Sequence, residues 1–224
     1  HGRPRIFRKI VTRFYAIALL HFGEHEFQTF KTRWTLPDRV ANCVIDVIYF
    51  VSAHNLNFRK QKKENITIIY GGGGAGLMGT LADSALKNDG KVIGVIPRFM
   101  KAVEWDHKGV NLMIETEDMA ERKKILIEGT DAVIALPGGV GTFEELFEVL
   151  SAKRLGLFTK PIIIYNFEGF YNPIIEMLET CIEENFMGKQ HRVIWTEVTR
   201  SEDLVGAIKN APTWTESAID NAKT

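Results

Sequence analysis

An α/β fold, a doubly wound parallel sheet flanked by helices in a single domain, follows from three features of this sequence. From residue 65 onward, short apolar runs alternate with amphipathic stretches. The runs are apolar throughout rather than alternating, as in strands buried on both faces. The runs that close at Tyr70, Ile96 and Leu136 end at glycine or proline, and two of those endings are glycine-rich turns.

The elements follow in order. Ile66 to Tyr70 is an apolar strand closed by Gly71 to Gly74, Leu77 to Leu86 reads as a helix, and Lys91 to Ile96 is the next strand, stopped by Pro97. The stretch Pro97 to Asn111 is irregular and holds Glu104, Trp105, Asp106 and His107, before the short apolar run Leu112 to Ile114. Asp118 to Glu128 has the composition of a helix closed by Gly129, Ala132 to Leu136 is a strand, and Thr142 to Arg154 a helix. Ile162 to Tyr165, after Pro161, is a further buried strand, Tyr171 to Asn185 is amphipathic, and Ser201 to Lys209 makes a small closing helix. Short connections between strands and helices are the pattern of a sheet wound in both directions.

Before residue 65 the pattern supports two assignments. Tyr15 to Leu20 suits a first strand with a helix between Pro37 and Lys63, yet Val44 to Val51 is itself strongly β-forming. The basic residues Arg3, Arg5, Arg8, Lys9 and Arg13 ahead of Phe14 to Leu20 read as a basic helix or arm rather than a leader, because no small-residue cleavage pattern follows Leu20.

A chain of 224 residues with 45% hydrophobic content suffices for one sizeable core and is short for two, so one domain is expected over 1–224. Lys plus Arg and Asp plus Glu both number 28, which leaves no global basic field to recruit nucleic acid; anion binding must be local. Cys43 and Cys181 have neither CxxC nor metal-ligand spacing, and free thiols point to a reducing, cytoplasmic setting. No apolar run reaches the roughly 20 residues of a membrane helix. No His, Cys and Asp cluster has metal spacing, and neither metal nor cofactor is expected.

The chemistry concentrates at the two glycine turns. The first is Tyr70-Gly71-Gly72-Gly73-Gly74-Ala75-Gly76-Leu77-Met78-Gly79, and the second is Pro137-Gly138-Gly139-Val140-Gly141-Thr142-Phe143-Glu144-Glu145. One such turn is often only a tight connection. Two of them at the carboxyl ends of parallel strands can face one crevice, where ligands bind in open sheets. A strand that restarts as a helix leaves backbone N–H groups for an anion. Carboxylates beside a phosphate would repel it, so Glu144 and Glu145 suggest chemistry on a group attached to the phosphate.

Other nucleotide chemistries fit less well. No acidic residue ends the strand Lys91 to Ile96, where a dinucleotide fold reads the ribose, and no Lys-Ser or Lys-Thr completes a P-loop. Arg122 and Lys123 lie in a helix just upstream of the second turn; such a pair is usually a solvated face. Trp105 and His107 read as pocket wall or surface, while Ser84 and Ser151 lack a neighbouring base and are poor nucleophiles.

Taken together, Tyr70 to Gly79, Val95-Ile96-Pro97, Asp118-Met119-Ala120-Glu121-Arg122-Lys123 and Pro137 to Glu145 resemble the Lonely Guy family of cytokinin-activating phosphoribohydrolases, long mislabelled as lysine decarboxylases. The resemblance covers about residues 65–190, a motif-bearing core, and leaves 1–64 divergent. It implies a Rossmann-like homodimer that hydrolyses the N-glycosidic bond of N6-modified adenosine 5′-monophosphate, giving the free base and ribose 5-phosphate. It implies that Arg122 and Glu145 are catalytic. Substrate contacts carry over to Glu104, Lys123, Gly139, Val140, Gly141, Thr142, Phe143, Glu144 and Ser151, with Gly72, Gly73 and Met78 from the first turn. The motif-bearing helices of the family pack across its dimer interface.

A carboxylate under the ribose suits the positive charge that develops as an N-glycosidic bond breaks, and Arg122 suits nucleotide positioning or assistance to base departure. No lysine sits in a recognisable pyridoxal phosphate context, against the decarboxylase label. The alternatives are a broader adenosine monophosphate or purine nucleotide nucleosidase, and a non-catalytic carrier of nucleotide or molybdenum cofactor. Members of the family open with a strand ending in a Cys-Gly-Ser-Ser-like loop. Here no Gly-Ser-Ser precedes the first glycine turn, although Phe50, Ala53 and Leu56 have the apolar spacing of the helix that follows that loop.

Overall fold

β-Branched and apolar side chains stiffen the backbone into pleated runs, and these build one sheet in the computed structural model, which describes residues 48–52, 66–103 and 105–221. The strands are β1 (Ile48–Ser52), β2 (Thr67–Tyr70), β3 (Lys91–Pro97), β4 (Leu112–Thr116), β5 (Ala132–Ala135), β6 (Ile162–Tyr165) and β7 (Thr196–Val198). Their order is β4-β3-β2-β1-β5-β6-β7. The α-helices among the described residues are α1 (Gly76–Lys87), α2 (Arg98–Lys101), α3 (Met119–Ile127), α4 (Val140–Arg154), α5 (Asn172–Glu183) and α6 (Leu204–Asn210).

β2, β3 and β4 run parallel, as do β5, β6 and β7. β1 lies between the two sets and is antiparallel to both neighbours. Set β1 aside and the remaining strands follow the 3-2-1-4-5-6 order of a doubly wound Rossmann-like sheet, so the expected fold class holds with one inserted antiparallel strand. Phe50 of β1 pairs with Ile69 on one side and Val133 on the other. That register brings the carboxyl ends of β2 and β5, and hence both glycine turns, to the same edge at the point where the winding reverses.

The structure decides the reading left open in the first third for one segment. Ile48–Ser52 is strand, so Phe50 does not belong to a helix there. Pairing on both edges satisfies the backbone groups of Phe50, while Ala53 and Leu56, which share its helical spacing in the sequence, lie outside the described residues. Tyr15 to Leu20, the basic arm, Cys43 and Glu104 lie outside the described residues, as do residues 1–47 and 53–65 of the single domain expected over 1–224. Among the described residues, no helix is long and apolar enough to cross a membrane.

Elsewhere the boundaries differ from expectation by a few residues. The helix after the second turn starts at Val140 rather than Thr142, and the irregular stretch after Pro97 contains the one-turn α2. The closing helix is α6, preceded by a short 3₁₀ turn at Ser201–Asp203. β7 is a three-residue edge strand that sequence periodicity does not reveal.

Helix α4 connects core to site. Its buried residues are Thr142, Glu145, Leu146, Val149, Leu150 and Lys153, a single stripe at helical spacing. Leu146, Val149 and Leu150 join Val133 and Ala135 of β5, Ile162 and Ile164 of β6, and Leu178 and Ile182 of α5 in the main core. Burying one such side chain stabilises the fold by about 1.5–3 kcal/mol.

Lys153 ends the stripe with its side chain inside, and its Nζ donates to the Lys160 carbonyl at 2.8 Å. Burial pulls its pKa down from 10.5 to about 8. The unfolded chain therefore holds this proton more tightly, and its titration makes stability rise with pH between those two values. Lys153→Met removes that dependence. Relative to wild type it should gain on the order of 1–2 kcal/mol near neutral pH. By about pH 9.5 the gain should shrink, as read from urea unfolding midpoints. A difference between the two proteins that is the same at both pH values contradicts this account.

Candidate active site

The site is built where two buried helix faces meet. On α3 the buried residues are Arg122 and Leu126, one turn apart, so the guanidinium sits on the same face as a core leucine. The helix is well started for this purpose. Asp118 at the N-cap accepts from the Glu121 N–H at 2.8 Å, and Glu121 Oε2 accepts from the Glu117 N–H at 2.7 Å, a variant of the reciprocal capping box. On α4 the buried stripe carries Glu145 but not Glu144, because Val149 lies one turn beyond the former and Glu148 one turn beyond the latter.

Arg122 and Glu145 meet directly. Arg122 Nη1 donates to Glu145 Oε1 at 2.7 Å, and each side chain is 5% exposed. Arg122 Nε donates to the Val95 carbonyl at 3.2 Å, which anchors the guanidinium to β3. Both hydrogen bonds are needed to hold a buried cation. Removing one partner of such a pair strands the other charge and typically costs about 3–5 kcal/mol.

The first glycine turn completes the arrangement by leaving room. A Cβ placed on Gly71 would fall 2.3 Å from Arg122 Nη2, so a side chain there would displace the guanidinium. Gly72 has φ of +79°, a conformation that disfavours any side chain. Gly72 and Gly73 are themselves buried, and Met78 lies over Gly73, where an added Cβ would come within 2.4 Å of its methyl. Gly71, absent from the expected contacts, is the residue of this turn that borders Arg122. Its signal in the sequence was only its place as the first glycine after the strand.

The loop bearing Trp105 and His107 docks on the other side of this turn. Gly74 N–H donates to the Trp105 carbonyl at 2.8 Å and His107 N–H to the Gly72 carbonyl at 2.9 Å. The His107 ring lies 3.1 Å from Asp83 Oδ1 through Nε2, while Nδ1 accepts from the Gly109 N–H at 3.0 Å. His107 thus links the loop to α1, and Trp105 remains half exposed. At the end of β2, the Tyr70 hydroxyl donates to the Gly73 carbonyl at 3.2 Å; burial first, then Asp83 and Asp106, raises its pKa and keeps it a donor.

The second carboxylate serves a different partner. Lys123 Nζ lies 2.6 Å from Glu144 Oε1 and 2.9 Å from Glu148 Oε2, in front of the buried pair. Hydrogen bonds from Glu144 and then Glu148 hold the Lys123 pKa above its usual value. A shallow groove lined by Lys123, Leu126, Ile127, Glu145 and Glu148 runs between α3 and α4.

The remaining expected residues separate by environment. Gly139 precedes α4 without a side-chain cap, and the amides of Val140 and Gly141 have no intrahelical acceptor, as in any first turn. Val140 is exposed and Thr142 buried. Phe143 is half-buried and turns toward Phe170 and Tyr171. Ser151 is exposed on the face of Glu144 and Glu148, about three helical turns from the start and away from the Arg122–Glu145 pair. Among the described residues, no group of three or more His, Cys, Asp or Glu is placed to hold a metal.

Comparison with known proteins gives a consistent result. A family model described as "Possible lysine decarboxylase" matches residues 78–208, more than half of the chain. A cytokinin riboside 5′-monophosphate phosphoribohydrolase of Rhodococcoides fascians is 42% identical over 147 residues, covering 65% of this chain and 73% of the relative. One of the Arabidopsis thaliana enzymes of that name is 36% identical over 146 residues, covering 65% and 68%. A probable one from Oryza sativa subsp. japonica is 36% identical over 160 residues, covering 71% and 65%. The alignable length, the glycine turns and the Asp118 to Lys123 and Pro137 to Glu145 motifs agree: the chain belongs to the Lonely Guy family, the one the family model describes as possible lysine decarboxylases.

Proposed function

We propose that this chain is a phosphoribohydrolase that cleaves the N-glycosidic bond of a cytokinin riboside 5′-monophosphate, releasing the cytokinin base and ribose 5-phosphate. The observation that carries the reading is the buried Arg122–Glu145 pair, set between two glycine turns at the carboxyl edge of the sheet. The printed names of the relatives support the substrate class. A carrier without hydrolysis would need no carboxylate there.

The chemistry follows from charge. As the bond from C1′ to the base breaks, the ribose gains oxocarbenium character, and Glu145 opposite the sugar stabilises it and orients the attacking water. Arg122 fixes that carboxylate and assists the departing base by hydrogen bonding. The amides at Gly139, Val140, Gly141 and Thr142 receive the 5′-phosphate at the start of α4. Lys123, with Glu144 and Glu148, closes the mouth of the groove, and Glu104 and Phe143 complete the substrate contacts. Gly72, Gly73 and Met78 back the pocket from the first turn, and Ser151 stands at its periphery.

A homodimer is part of the proposal. Val140 and Phe147 on the outward face of α4, 78% and 41% exposed, give that face apolar area beside the site. Sedimentation should find a particle near twice 25.4 kDa, and a monomer at working concentration contradicts the dimer.

The activity is tested by incubating the protein with N6-isopentenyladenosine 5′-monophosphate, adenosine 5′-monophosphate and the unphosphorylated riboside, and measuring free base and ribose 5-phosphate. Release from the modified nucleotide is expected, with the riboside cleaved far more slowly. In the same assay Glu145→Gln should lower turnover by about 100-fold or more while nucleotide affinity changes only a few fold. No release from either nucleotide overturns the hydrolase reading. Release from adenosine monophosphate alone makes the enzyme a general nucleotide nucleosidase, and equal cleavage of the riboside removes the phosphate role of the second turn.

A further inference from the structure

The second glycine turn has little of its own to fix its shape. Gly138, Gly139 and Gly141 carry no side chains, and the position before α4 supplies no cap. Glycine leaves the backbone free to move, whereas amides that share one phosphate must converge on it to within a fraction of an ångström. The constraint has to come from outside the turn.

One residue touches both of its arms. Tyr171 is wholly buried, and its hydroxyl donates to the Leu136 carbonyl at 2.5 Å, the last carbonyl before Pro137. Its ring meets Phe143, in the first turn of α4, edge-on with centroids 6.2 Å apart. Tyr171 is held from behind in turn. Its N–H donates to Asn166 Oδ1 at 2.7 Å, and Asn166 Nδ2 donates to Glu197 Oε1 at 2.6 Å and to Asn172 Oδ1 at 2.7 Å. The Asn166 N–H donates to the Val198 carbonyl at 2.8 Å, which ties the assembly to β7.

We infer that Tyr171 is a positioning residue: by bridging the strand end at Leu136 and the helix start at Phe143, it sets the aperture of the second glycine turn. Selection of a 5′-phosphorylated ribose over a bare riboside depends on that aperture. The inference rests on the proposed role of this turn in holding the phosphate. Asn166, Asn172 and Glu197 form the support that keeps the tyrosine from following the turn when the turn moves.

Tyr171→Phe tests it by removing one oxygen and keeping the ring. The ratio of kcat/KM for N6-isopentenyladenosine 5′-monophosphate to that for its riboside should fall about tenfold through KM, the scale of one buried hydrogen bond. Exchange of the Phe143 amide, which donates to the Gly139 carbonyl and closes the turn, should quicken about tenfold relative to β6. Ile182→Val, a buried change on α5, is the control for simple loss of stability and should lower the melting temperature with the ratio unchanged. A folded Tyr171→Phe protein with the wild-type ratio, or with wild-type exchange in the turn, overturns the inference. Should that variant not fold, Glu197→Ala, an exposed change that removes the carboxylate behind Asn166, is put to the same two readouts, with the same outcomes deciding. If the wild type releases no base, the hydrolase reading fails by itself, and the exchange comparison still decides whether Tyr171 holds the turn.

Discussion

A buried guanidinium and a buried carboxylate 2.7 Å apart make a demanding contact, and much of the described structure is arranged to permit it. Neither Arg122 nor Glu145 can be taken out of water without the other, because an isolated buried ion costs several kcal/mol. The pair therefore imposes conditions on its surroundings. Val95 must offer a carbonyl, Gly71 must carry no side chain, and the helical phase of α3 and α4 must bring one residue from each inward. Core packing meets the last condition, since Leu126, Leu146 and Val149 lie on the same faces as the two charges.

The sheet supplies the geometry around that contact. Winding in opposite directions from the centre puts the two glycine turns at one edge, and β1 spaces them by one antiparallel strand. The first turn yields space to the arginine, and the docked loop at Trp105 to His107 covers its other side. The second turn offers amides where α4 begins and a carboxylate one turn later, in a place where the helix stripe changes from apolar to polar. Phosphate and sugar would thus be handled by consecutive turns of the same segment.

Parts of this were legible in the sequence because they rest on local rules. The strands from β2 to β6 are short apolar runs, three of them closed by glycine or proline, whereas the sequence left Glu144 and Glu145 side by side and the burial of α4 separates them. The composition of Asp118 to Glu128, closed by Gly129, likewise marked α3. Other parts depend on contacts between segments far apart in the chain. A charged pair at Arg122 and Lys123 suggests a solvated helix, yet the structure buries the arginine and leaves lysine at the rim, since only Arg122 finds Val95 and Glu145. Gly71 looked like any glycine of its run, Tyr171 like any core aromatic, and β1 like either strand or helix, until its two partners were placed.

The dependence of the site on one ion pair is tested most directly by a double-mutant cycle on hydrolysis of N6-isopentenyladenosine 5′-monophosphate, using Arg122→Met, Glu145→Gln and the double variant. Residues that act as a unit lose their joint effect when either is removed. The double variant should then be no more than about threefold slower than the slower single variant. Losses that multiply, with the double variant slower by the product of the two single effects, would show that the residues act independently and would contradict the account.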